Sequence, residues 1–340
     1  MTKSAGLRKL PLAAFCRFLA QGSEAEQENP HAGENKADSH RDADAEVFYQ
    51  VERLYWMLAA LLTRPMTLDD VPAGLRLCRL SGWNQVREDW LAFLRLSPDG
   101  CRVVESNGAI VGTVATLRFA EKFSWVAMLL VDPAMRGRGI GTELLQEALT
   151  ILKSEKCTRL DATEAGARIY RTQGFQEEYR LSRLVAQAPP KLGAQTEACR
   201  PTSNADLEEV FDLDKRVFGA DRGALLHSFF MRAPEYAWVS RNGPALAGYI
   251  FGRHGYNHEH LGPLVATAET TAVELMTCCL AHKQARSFLI DVPGDFKEWN
   301  RWLQNAGFAR ERSFIRMYRG SRMQPGCESY QFGIAGPEFG

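Results

Sequence analysis

An internal repeat is the feature that most restricts how this sequence can fold. Arg64-Pro65 is followed, six residues after the arginine, by Asp70, and Arg200-Pro201 is followed at the same distance by Asp206. Two further pairs of segments recur in the same order along the chain: Arg159–Thr163 with Phe288–Pro293, and Gly174-Phe175 with Gly307-Phe308. Matching spacings in matching order indicate a tandem duplication, so we expect two similar units.

The length agrees with two units, because 340 residues exceed the size at which a single hydrophobic core usually keeps growing. We predict a first domain at residues 47–187, a linker at 188–199 and a second domain at 200–340. Proline and glycine in the linker are typical of a connecting segment. Residues 1–46 are predicted to form a disordered N-terminal extension, since most of that segment lacks large apolar side chains.

The N-terminal segment and the cysteines indicate the cellular compartment of the protein. Met1–Ala20 carries basic residues and no acidic one, which resembles an organelle transit peptide and would indicate a mitochondrial protein. A plain N-terminal extension is the alternative. The eight cysteines show no paired spacing, which is typical of reduced thiols in the cytoplasm.

The overall charge argues against several classes of partner. The 41 basic residues equal the 41 acidic ones, so we predict no nucleic-acid partner. The longest apolar run, Leu54–Thr63, is about half of what a membrane-spanning helix requires, so we predict no membrane partner. His254, His258 and His260 are interpreted as a polar loop rather than a metal site. The oligomeric state is left open.

The first unit has the pattern of an α+β fold. Two β-branched runs are joined by Ser106-Asn107-Gly108, a strong hairpin signal. Ser124–Val131 is a further apolar strand, and Thr142–Lys153 has apolar residues at helical spacing. A strand, a short helix and a closing strand follow. This order predicts a layer of helices on a mixed sheet.

A glycine-rich turn lies between that apolar strand and its helix. Its glycines permit a tight backbone, and the first N–H groups of the helix point into the turn with the positive end of the helix dipole behind them. Such a turn binds phosphate through main-chain donors. The pattern differs from the P-loop and from the dinucleotide fingerprint. The sequence therefore predicts a pyrophosphate site at Arg136-Gly137-Arg138-Gly139-Ile140-Gly141.

Two segments resemble the GNAT superfamily of acyl-CoA-dependent N-acetyltransferases. Leu129–Thr142 is similar to its coenzyme-binding strand and turn, and Asp161–Phe175 is similar to its second signature. The resemblance implies two tandem GNAT-like domains, each a mixed, mostly antiparallel sheet flanked by helices. It also implies acetyl-CoA as co-substrate. The pantetheine arm would contact Leu129, Leu130 and Val131, and the pyrophosphate would contact Arg136, Gly137, Arg138, Gly139, Ile140, Gly141 and Thr142.

The resemblance also implies catalytic residues. Tyr170 stands where the family has the tyrosine that protonates the leaving thiolate, although a packing tyrosine is the alternative. Asp161 ends a central strand and is our candidate for the general base, with a helix cap or turn as the alternative. Glu164 follows it closely and is a second candidate, Glu105 and Glu121 are weaker ones, and water chains serve instead in many relatives. Trp83 and Asn84 lie where the acceptor pocket is expected. Many relatives carry Asn at the position of Thr163, so any contact made by that Asn is in doubt.

The second unit lacks the signature. Gly262–Glu269 stands where a glycine turn is expected, and Leu303 stands where Tyr170 stands in the first unit. We therefore expect a degenerate second domain. The prediction for the chain is an enzyme that transfers an acetyl group from acetyl-CoA to a primary amine, with a small molecule as the acceptor. The alternatives are a protein N-acetyltransferase and a non-catalytic acetyl-CoA sensor or scaffold.

One intact turn in two similar domains predicts one coenzyme per chain. Isothermal titration of the protein with acetyl-CoA is expected to give a single class of sites with a stoichiometry of one. Two sites per chain would show that the second domain binds the coenzyme despite its missing turn.

Overall fold

The computed structural model describes residues 61–120, 122–187, 199–281, 287–294, 296–322 and 326–340. The extension predicted at 1–46 and almost all of the linker predicted at 188–199 lie outside the described residues, so both stay predictions. Leu62–Gly340 forms one compact unit. Within the described ranges, no helix is long and apolar enough to cross a bilayer.

The two halves of the described chain contain the same series of elements. The first half consists of β1 (Leu61–Pro65), α1 (Val71–Leu80), α2 (Arg87–Leu96), β2 (Arg102–Ser106), β3 (Ala109–Phe119), β4 (Phe123–Val131), α3 (Ile140–Ile151), β5 (Cys157–Ala162), α4 (Glu164–Thr172) and β6 (Gln176–Ala186). The second consists of β7 (Cys199–Pro201), α5 (Leu207–Phe218), α6 (Gly223–Arg232), β8 (Trp238–Asn242), β9 (Ala245–Arg253), β10 (Glu259–Ala266), α7 (Glu269–Leu280), β11 (Phe288–Pro293), α8 (Lys297–Asn305) and β12 (Ala309–Gly320), with β13 (Gln331–Gly333) added. The tandem α+β arrangement predicted from the repeat is confirmed.

The turn and the helix predicted from short sequence patterns are present. Asn107 and Gly108 both have positive φ, at 51° and 79°, as a tight turn between β2 and β3 requires. In α3 the apolar stripe predicted by the spacing is buried: Leu144, Leu145 and Ala148 are each 0% exposed. This helix contacts β3 and β4, which places its N-terminus at the end of β4.

The strands form one continuous sheet rather than a separate sheet for each domain. Its order is β1-β2-β3-β4-β5-β12-β6-β11-β10-β9-β8-β7, and β13 pairs with β10. The last strand of each half is exchanged. β12 pairs antiparallel with β5, aligning Arg316 with Asp161, and β6 pairs antiparallel with β11, aligning Arg183 with Asp291. The sequence predicted both strands but could not show which copy each would join, because that choice depends on contacts between distant segments.

The exchange is accompanied by two buried ion pairs of the same design. The Arg316 guanidinium donates two hydrogen bonds to Asp161, at 2.9 and 2.8 Å, and the Arg183 guanidinium donates two to Asp291, both at 2.8 Å. In each pair the arginine belongs to one half and the aspartate to the other. These residues also match in the sequence repeat. Arg183 and Arg316 each follow the phenylalanine of their Gly-Phe pair by eight residues, and the two aspartates lie in the recurring strand segments.

Residues 331–340, here called the C-terminal strap, cross from the second half to the first. β13 at its start lies against β10, with Leu264 opposite Gly333. Farther along, the Trp125 indole N–H donates to the Pro337 carbonyl at 2.9 Å, and Phe339 stacks on Phe93 with ring centroids 4.9 Å apart. The strap is buried throughout except at Pro337, which is half-buried. It therefore ties the second half to the core of the first.

The repeated Arg–Asp spacing also has a structural basis. The Arg64 guanidinium donates two bonds of 2.8 Å to Asp70, and the Arg200 guanidinium donates bonds of 2.7 and 2.6 Å to Asp206. Asp70 also accepts the backbone N–H of Thr67 at 2.8 Å. Each aspartate thereby joins the first strand of its half to the turn that starts the first helix.

We expect Asp70→Asn to lower the free energy of unfolding by about 1–3 kcal/mol at neutral pH, because it removes a charge-assisted bidentate contact. The hydrogen bond from Arg64 lowers the pKa of Asp70 to about 2. The carboxylate therefore stabilises the fold above its unfolded pKa of about 3.9, and that contribution is lost as the pH falls from about 4 to 2. Urea unfolding across this range tests both statements.

Asp69→Asn is the matched control, because Asp69 is an exposed carboxylate next to Asp70 in the chain. Equal stability of the two variants at neutral pH would contradict the role assigned to Asp70.

Candidate active site

The site lies where two parallel strands diverge. β4 and β5 pair at Ser124 with Thr158 and at Trp125 with Arg159. Beyond these pairs a cavity of about 220 Å³ is lined by residues 126–129 of β4 on one side and by residues 160–163 on the other. A ligand in this cavity can therefore reach the backbone edges of both strands.

A bulge in β4 faces this cleft. The register between β3 and β4 shifts between the pair Thr113–Leu130 and the pair Ala115–Ala127. Inside the bulge Met128 has φ of 53°, and the Thr113 hydroxyl donates to its carbonyl at 2.8 Å. A positive φ at a residue other than glycine costs about 1–3 kcal/mol and persists where the surroundings enforce it. No sequence pattern predicted this bulge.

The glycine turn follows β4 directly. Gly137 and Gly139 have φ of 78° and 81°, which other residues rarely adopt, and Gly139 is the residue before α3. A side chain added at either position would meet no atom within 4 Å, so this face of the turn is open. The N–H groups of Ile140, Gly141 and Thr142 belong to the first turn of α3 and have no acceptor within the helix.

The two arginines of the turn differ in their surroundings. Arg136 is exposed, and its Nε donates to the Val131 carbonyl at 3.3 Å. Arg138 is half-buried, and its buried Nη1 finds no hydrogen-bond acceptor in the part of the chain that the structure describes. An unpaired buried guanidinium nitrogen beside helix N–H groups suits an anion.

The residues predicted to bind the coenzyme divide between the cavity and the turn. Leu129 and Gly141 line the cavity. Leu130 and Val131 pair with β3 through Thr113 and Gly112 and continue β4 towards the turn. The turn itself contains the remaining residues, from Arg136 to Thr142. The order along the chain is thus cavity, strand end, glycine turn and helix N-terminus.

Tyr170 lies on α4 and lines the cavity. Its ring contacts Phe175 edge to face, with centroids 5.9 Å apart. Gly166, one turn earlier, leaves room for that ring, since a Cβ there would lie 3.2 Å from it. Burial raises the pKa of Tyr170 to about 12, so the phenol keeps its proton at neutral pH. A protonated phenol in the cavity is able to donate that proton.

Asp161 also lines the cavity, but both of its carboxylate oxygens accept hydrogen bonds from Arg316. The same guanidinium bonds to the Tyr179 hydroxyl at 2.5 Å. A carboxylate engaged on both oxygens by a buried arginine is poorly suited to take a proton from a substrate. These contacts argue against the base role predicted for Asp161 and favour a structural ion pair. The sequence could not indicate this, because the exchanged strand β12 supplies Arg316.

Trp83 and Asn84 occupy different environments although they are neighbours. Trp83 lines the cavity, as does the following residue, Gln85. The Asn84 carboxamide instead accepts the backbone N–H groups of Asn257 and His258 and donates to the His258 carbonyl at 2.9 Å. Asn84 therefore holds a loop of the second half. The place in the cavity lining that was predicted for Asn84 is taken by Gln85.

Thr163 lines the cavity, and its side chain has a structural partner. Its hydroxyl accepts the Gly166 N–H at 3.2 Å and caps α4.

The second half also contributes residues to the cavity lining. Sequence reasoning missed every cavity residue of the second half, and no motif marks them. They are Arg312 and Phe314 of β12 and Pro337 and Glu338 of the C-terminal strap.

The equivalent cleft of the second half is filled by the chain itself. β10 and β11 pair in parallel at Leu261 with Ile290, and β13 then lies against β10, with the Ile334 N–H donating to the Asp291 carbonyl at 2.9 Å. The approach is close: a side chain at Gly262 would lie 2.0 Å from the Ile334 carbonyl oxygen. The strap therefore occupies the place that corresponds to the cavity of the first half.

The histidines near this cleft have hydrogen-bond partners. His254 lies 2.7 Å from a Glu259 oxygen, His258 lies 2.9 Å from the Ser287 hydroxyl, and His260 contacts Arg253 at 2.9 Å. Across the described ranges, no group of three histidine, cysteine or acidic side chains is arranged to hold a metal ion.

Comparison with known sequences identifies both halves. Residues 68–175 match the Acetyltransferase (GNAT) family, and residues 210–333 match an Acetyltransferase (GNAT) domain. The chain is 26% identical over 243 residues to holothin acyltransferase of Pseudoalteromonas sp. (strain SANK 73390), covering 71% of this chain and 82% of that protein. It is 23% identical over 247 residues to the uncharacterized N-acetyltransferase YitH of Bacillus subtilis (strain 168), covering 72% and 86%.

Solved structures share the fold. A protein from Pyrococcus horikoshii superposes with a TM-score of 0.69 at 23% identity, over 82% of this chain and 96% of that one. A tandem GNAT protein from the clavulanic acid biosynthesis pathway superposes with a TM-score of 0.57 at 18% identity, over 78% and 100%.

These matches cover both halves and agree with the cleft, the turn and the tandem topology. The family uses an acyl-CoA as co-substrate, and the diverging strands and the glycine turn with its unpaired Arg138 nitrogen fit such a molecule. The chain belongs to the GNAT superfamily of acyltransferases, with two GNAT domains in tandem.

Proposed function

We propose that this enzyme transfers an acetyl group from acetyl-CoA to the primary amine of a small molecule. The observation that carries the proposal is the cavity of about 220 Å³, which has Tyr170 and the open edges of two strands on one side and the second half of the chain on the other. Two reactants can meet there from opposite sides, which supplies the proximity that acyl transfer needs.

The coenzyme assignment is supported by the order of features along β4. The cavity holds the reacting end, the strand end carries the pantetheine arm past Leu130 and Val131, and the glycine turn receives the pyrophosphate. Arg138 and the first N–H groups of α3 supply donors for its oxygens. The first half alone has this arrangement, since the strap fills the matching cleft of the second.

The acid role of Tyr170 is supported by its protonation and its place. The neutral phenol gives its proton to the coenzyme sulfur as the carbon–sulfur bond breaks. Its hydroxyl has no hydrogen-bond partner among the described residues, so no protein group competes for that proton. Backbone N–H groups at the β4 bulge are in the region where the thioester oxygen needs stabilisation.

A small acceptor is supported by the residues that bound the site. A protein lysine requires an open groove, whereas this cavity is bounded by Arg312, Phe314 and the C-terminal strap. We also propose a cytoplasmic location, which is supported by the lack of paired cysteine spacing in the sequence. The segment that resembles a transit peptide lies outside the described residues.

Testing the function requires an acceptor panel. We expect full-length protein with acetyl-CoA to release coenzyme A thiol in the presence of one class of small amines and to leave lysine-containing peptides unreacted. Turnover of peptides alone would favour a protein acceptor. Tight acetyl-CoA binding without turnover of any amine would favour a sensor.

We expect Gly139→Asp to abolish acetyl-CoA binding in a calorimetric titration, because it places a carboxylate against the pyrophosphate. Gly139→Asn is the matched control. Asn has nearly the same size and tolerates the positive φ of this position about as well, so it isolates the effect of the charge. If both variants lose binding equally, backbone strain and not charge is the cause.

We expect Tyr170→Phe to lower turnover by about a hundredfold while the Kd for acetyl-CoA stays within about a factor of two. The change removes only the hydroxyl and keeps the ring contact with Phe175. Tyr256→Phe at an exposed tyrosine serves as control. A Tyr170→Phe enzyme with full activity would remove Tyr170 from the mechanism, and a parallel loss of binding would assign it to the coenzyme instead.

A further inference from the structure

We propose that Glu338 and Gln85 form the acceptor site: Glu338 takes the proton of the incoming ammonium group, and Gln85 accepts a second N–H and orients the amine. The inference rests on the proposed acetyl transfer and adds the residues that select and activate its acceptor. Both residues line the cavity.

Glu338 is a buried carboxylate with one oxygen left over. It is 3% exposed, and its Oε1 is bonded to the Arg253 guanidinium. Its Oε2 is buried without a hydrogen-bond partner in the described part of the chain. An unsatisfied buried acceptor costs about 1–3 kcal/mol, and such groups persist where a ligand completes them. A donor entering the cavity, such as an amine, meets this requirement.

Gln85 repeats the same pattern from the first half. It is 7% exposed, and its side-chain oxygen Oε1 is likewise buried without a partner in the described ranges. Its backbone is fixed, since Arg79 donates to the Gln85 carbonyl at 2.7 Å. Two unpaired acceptor oxygens on side chains that line one mostly apolar cavity match a group that offers at least two N–H donors. A primary amine is such a group, whereas an alcohol offers one donor.

The other carboxylates that the sequence offered as candidate bases are less suited to receive a proton. Asp161 is the second acidic residue that lines the cavity, and Arg316 occupies both of its oxygens. Glu164 has a side chain that is 62% exposed and is paired with Arg180, and Glu105 is paired with Arg64 at 3.2 Å. Glu121 lies outside the described residues. Among the described carboxylates, Glu338 combines a place in the cavity with an oxygen that no donor occupies.

The C-terminal strap fixes the position of Glu338 from both sides. Before it, the Pro337 carbonyl accepts the Trp125 indole N–H at 2.9 Å. After it, Phe339 stacks on Phe93, and the Gly340 carbonyl accepts a bond of 2.7 Å from Arg222. Trp125 belongs to β4, the strand whose farther residues line the cleft. The carboxylate is therefore held in a fixed place relative to the expected thioester.

Arg183 of β6 and Arg312 of β12 line the cavity together with Glu338, and Arg183 is paired with Asp291. Further charged groups around Glu338 come from three other elements. Arg253 of β9 bonds to it, His260 of β10 contacts Arg253 at 2.9 Å, and the Asp89 carboxylate of α2 lies 3.5 Å from the Arg253 Nε. Burial lowers the pKa of His260, so this imidazole is neutral near pH 7. Arg253 is thus shared by two carboxylates, Asp89 and Glu338, and it contacts Glu338 through Oε1 alone.

The proposed transfer converts the ammonium group and the thioester into an amide, a thiol and one proton. Glu338 takes one proton from the ammonium nitrogen, and the neutral amine forms a bond to the thioester carbon. The carbon–sulfur bond then breaks, and the sulfur takes the proton of the Tyr170 hydroxyl. The nitrogen, now in an amide, loses a second proton, which restores the Tyr170 phenol. Glu338 finally releases its proton to solvent, so one proton is released for each acetyl group transferred.

We expect Glu338→Gln to lower kcat for the best alkylamine of the acceptor panel by about a hundredfold, with the Kd for acetyl-CoA unchanged. The variant should regain rate by about tenfold per pH unit between pH 7 and 9, because solvent then removes the proton from an amine with a lysine-like pKa. Glu338→Asp should retain part of the activity. Gln85→Met should raise KM for the amine and leave kcat within about a factor of three of wild type.

Glu298→Gln is the control, since Glu298 is an exposed glutamate on α8. A Glu338→Gln enzyme with wild-type kcat overturns the inference. A variant whose loss of rate is the same at every pH also overturns it, because deprotonation of the amine at high pH compensates for a missing base but not for a structural defect. Wild-type protein that acetylates no amine of the panel overturns the proposed function itself. The two failures are therefore distinguishable.

Discussion

Two reciprocal ion pairs at the centre of the sheet join the halves of this enzyme. Arg183 of the first half bonds to Asp291 of the second, and Arg316 of the second bonds to Asp161 of the first. The four side chains are between 0% and 8% exposed. Removing one partner of such a pair leaves an uncompensated buried charge and costs about 3–5 kcal/mol. The charges therefore favour the exchanged arrangement of β6 and β12 over one in which each half keeps its own last strand.

The active site depends on that exchange. β12 brings Arg312 and Phe314 to the cavity and neutralises Asp161, and the C-terminal strap that follows carries Glu338 to the wall opposite β4. The same strap fills the second cleft through β13. The C-terminal strap thus fills the cleft of the second half and lines the cavity of the first. The second GNAT domain therefore lines the cavity of the first through these residues, although it lacks the glycine turn.

Local features of the fold could be predicted from the sequence because nearby residues specify them. The Asn107-Gly108 turn requires positive φ, α3 requires its apolar stripe, and the glycine turn requires Gly137 and Gly139. The base role predicted for Asp161 and the acceptor role predicted for Asn84 relied on position along one strand or loop. Arg316 and the backbone of His258, which engage these two side chains, lie 155 and 174 residues away. No local pattern could reveal those partners.

The sequence by itself determined the family, the tandem repeat, the glycine turn and the place of Tyr170, since each is encoded in a short stretch with its own backbone or chemical requirement. The tertiary structure alone decided that the halves share one sheet, that Asp161 is engaged by Arg316, and that Glu338 and Gln85 line the same cavity. The physical reason is that strand exchange and cavity closure depend on register and charge pairing between segments far apart in the chain. Those contacts exist only once both halves have folded against each other.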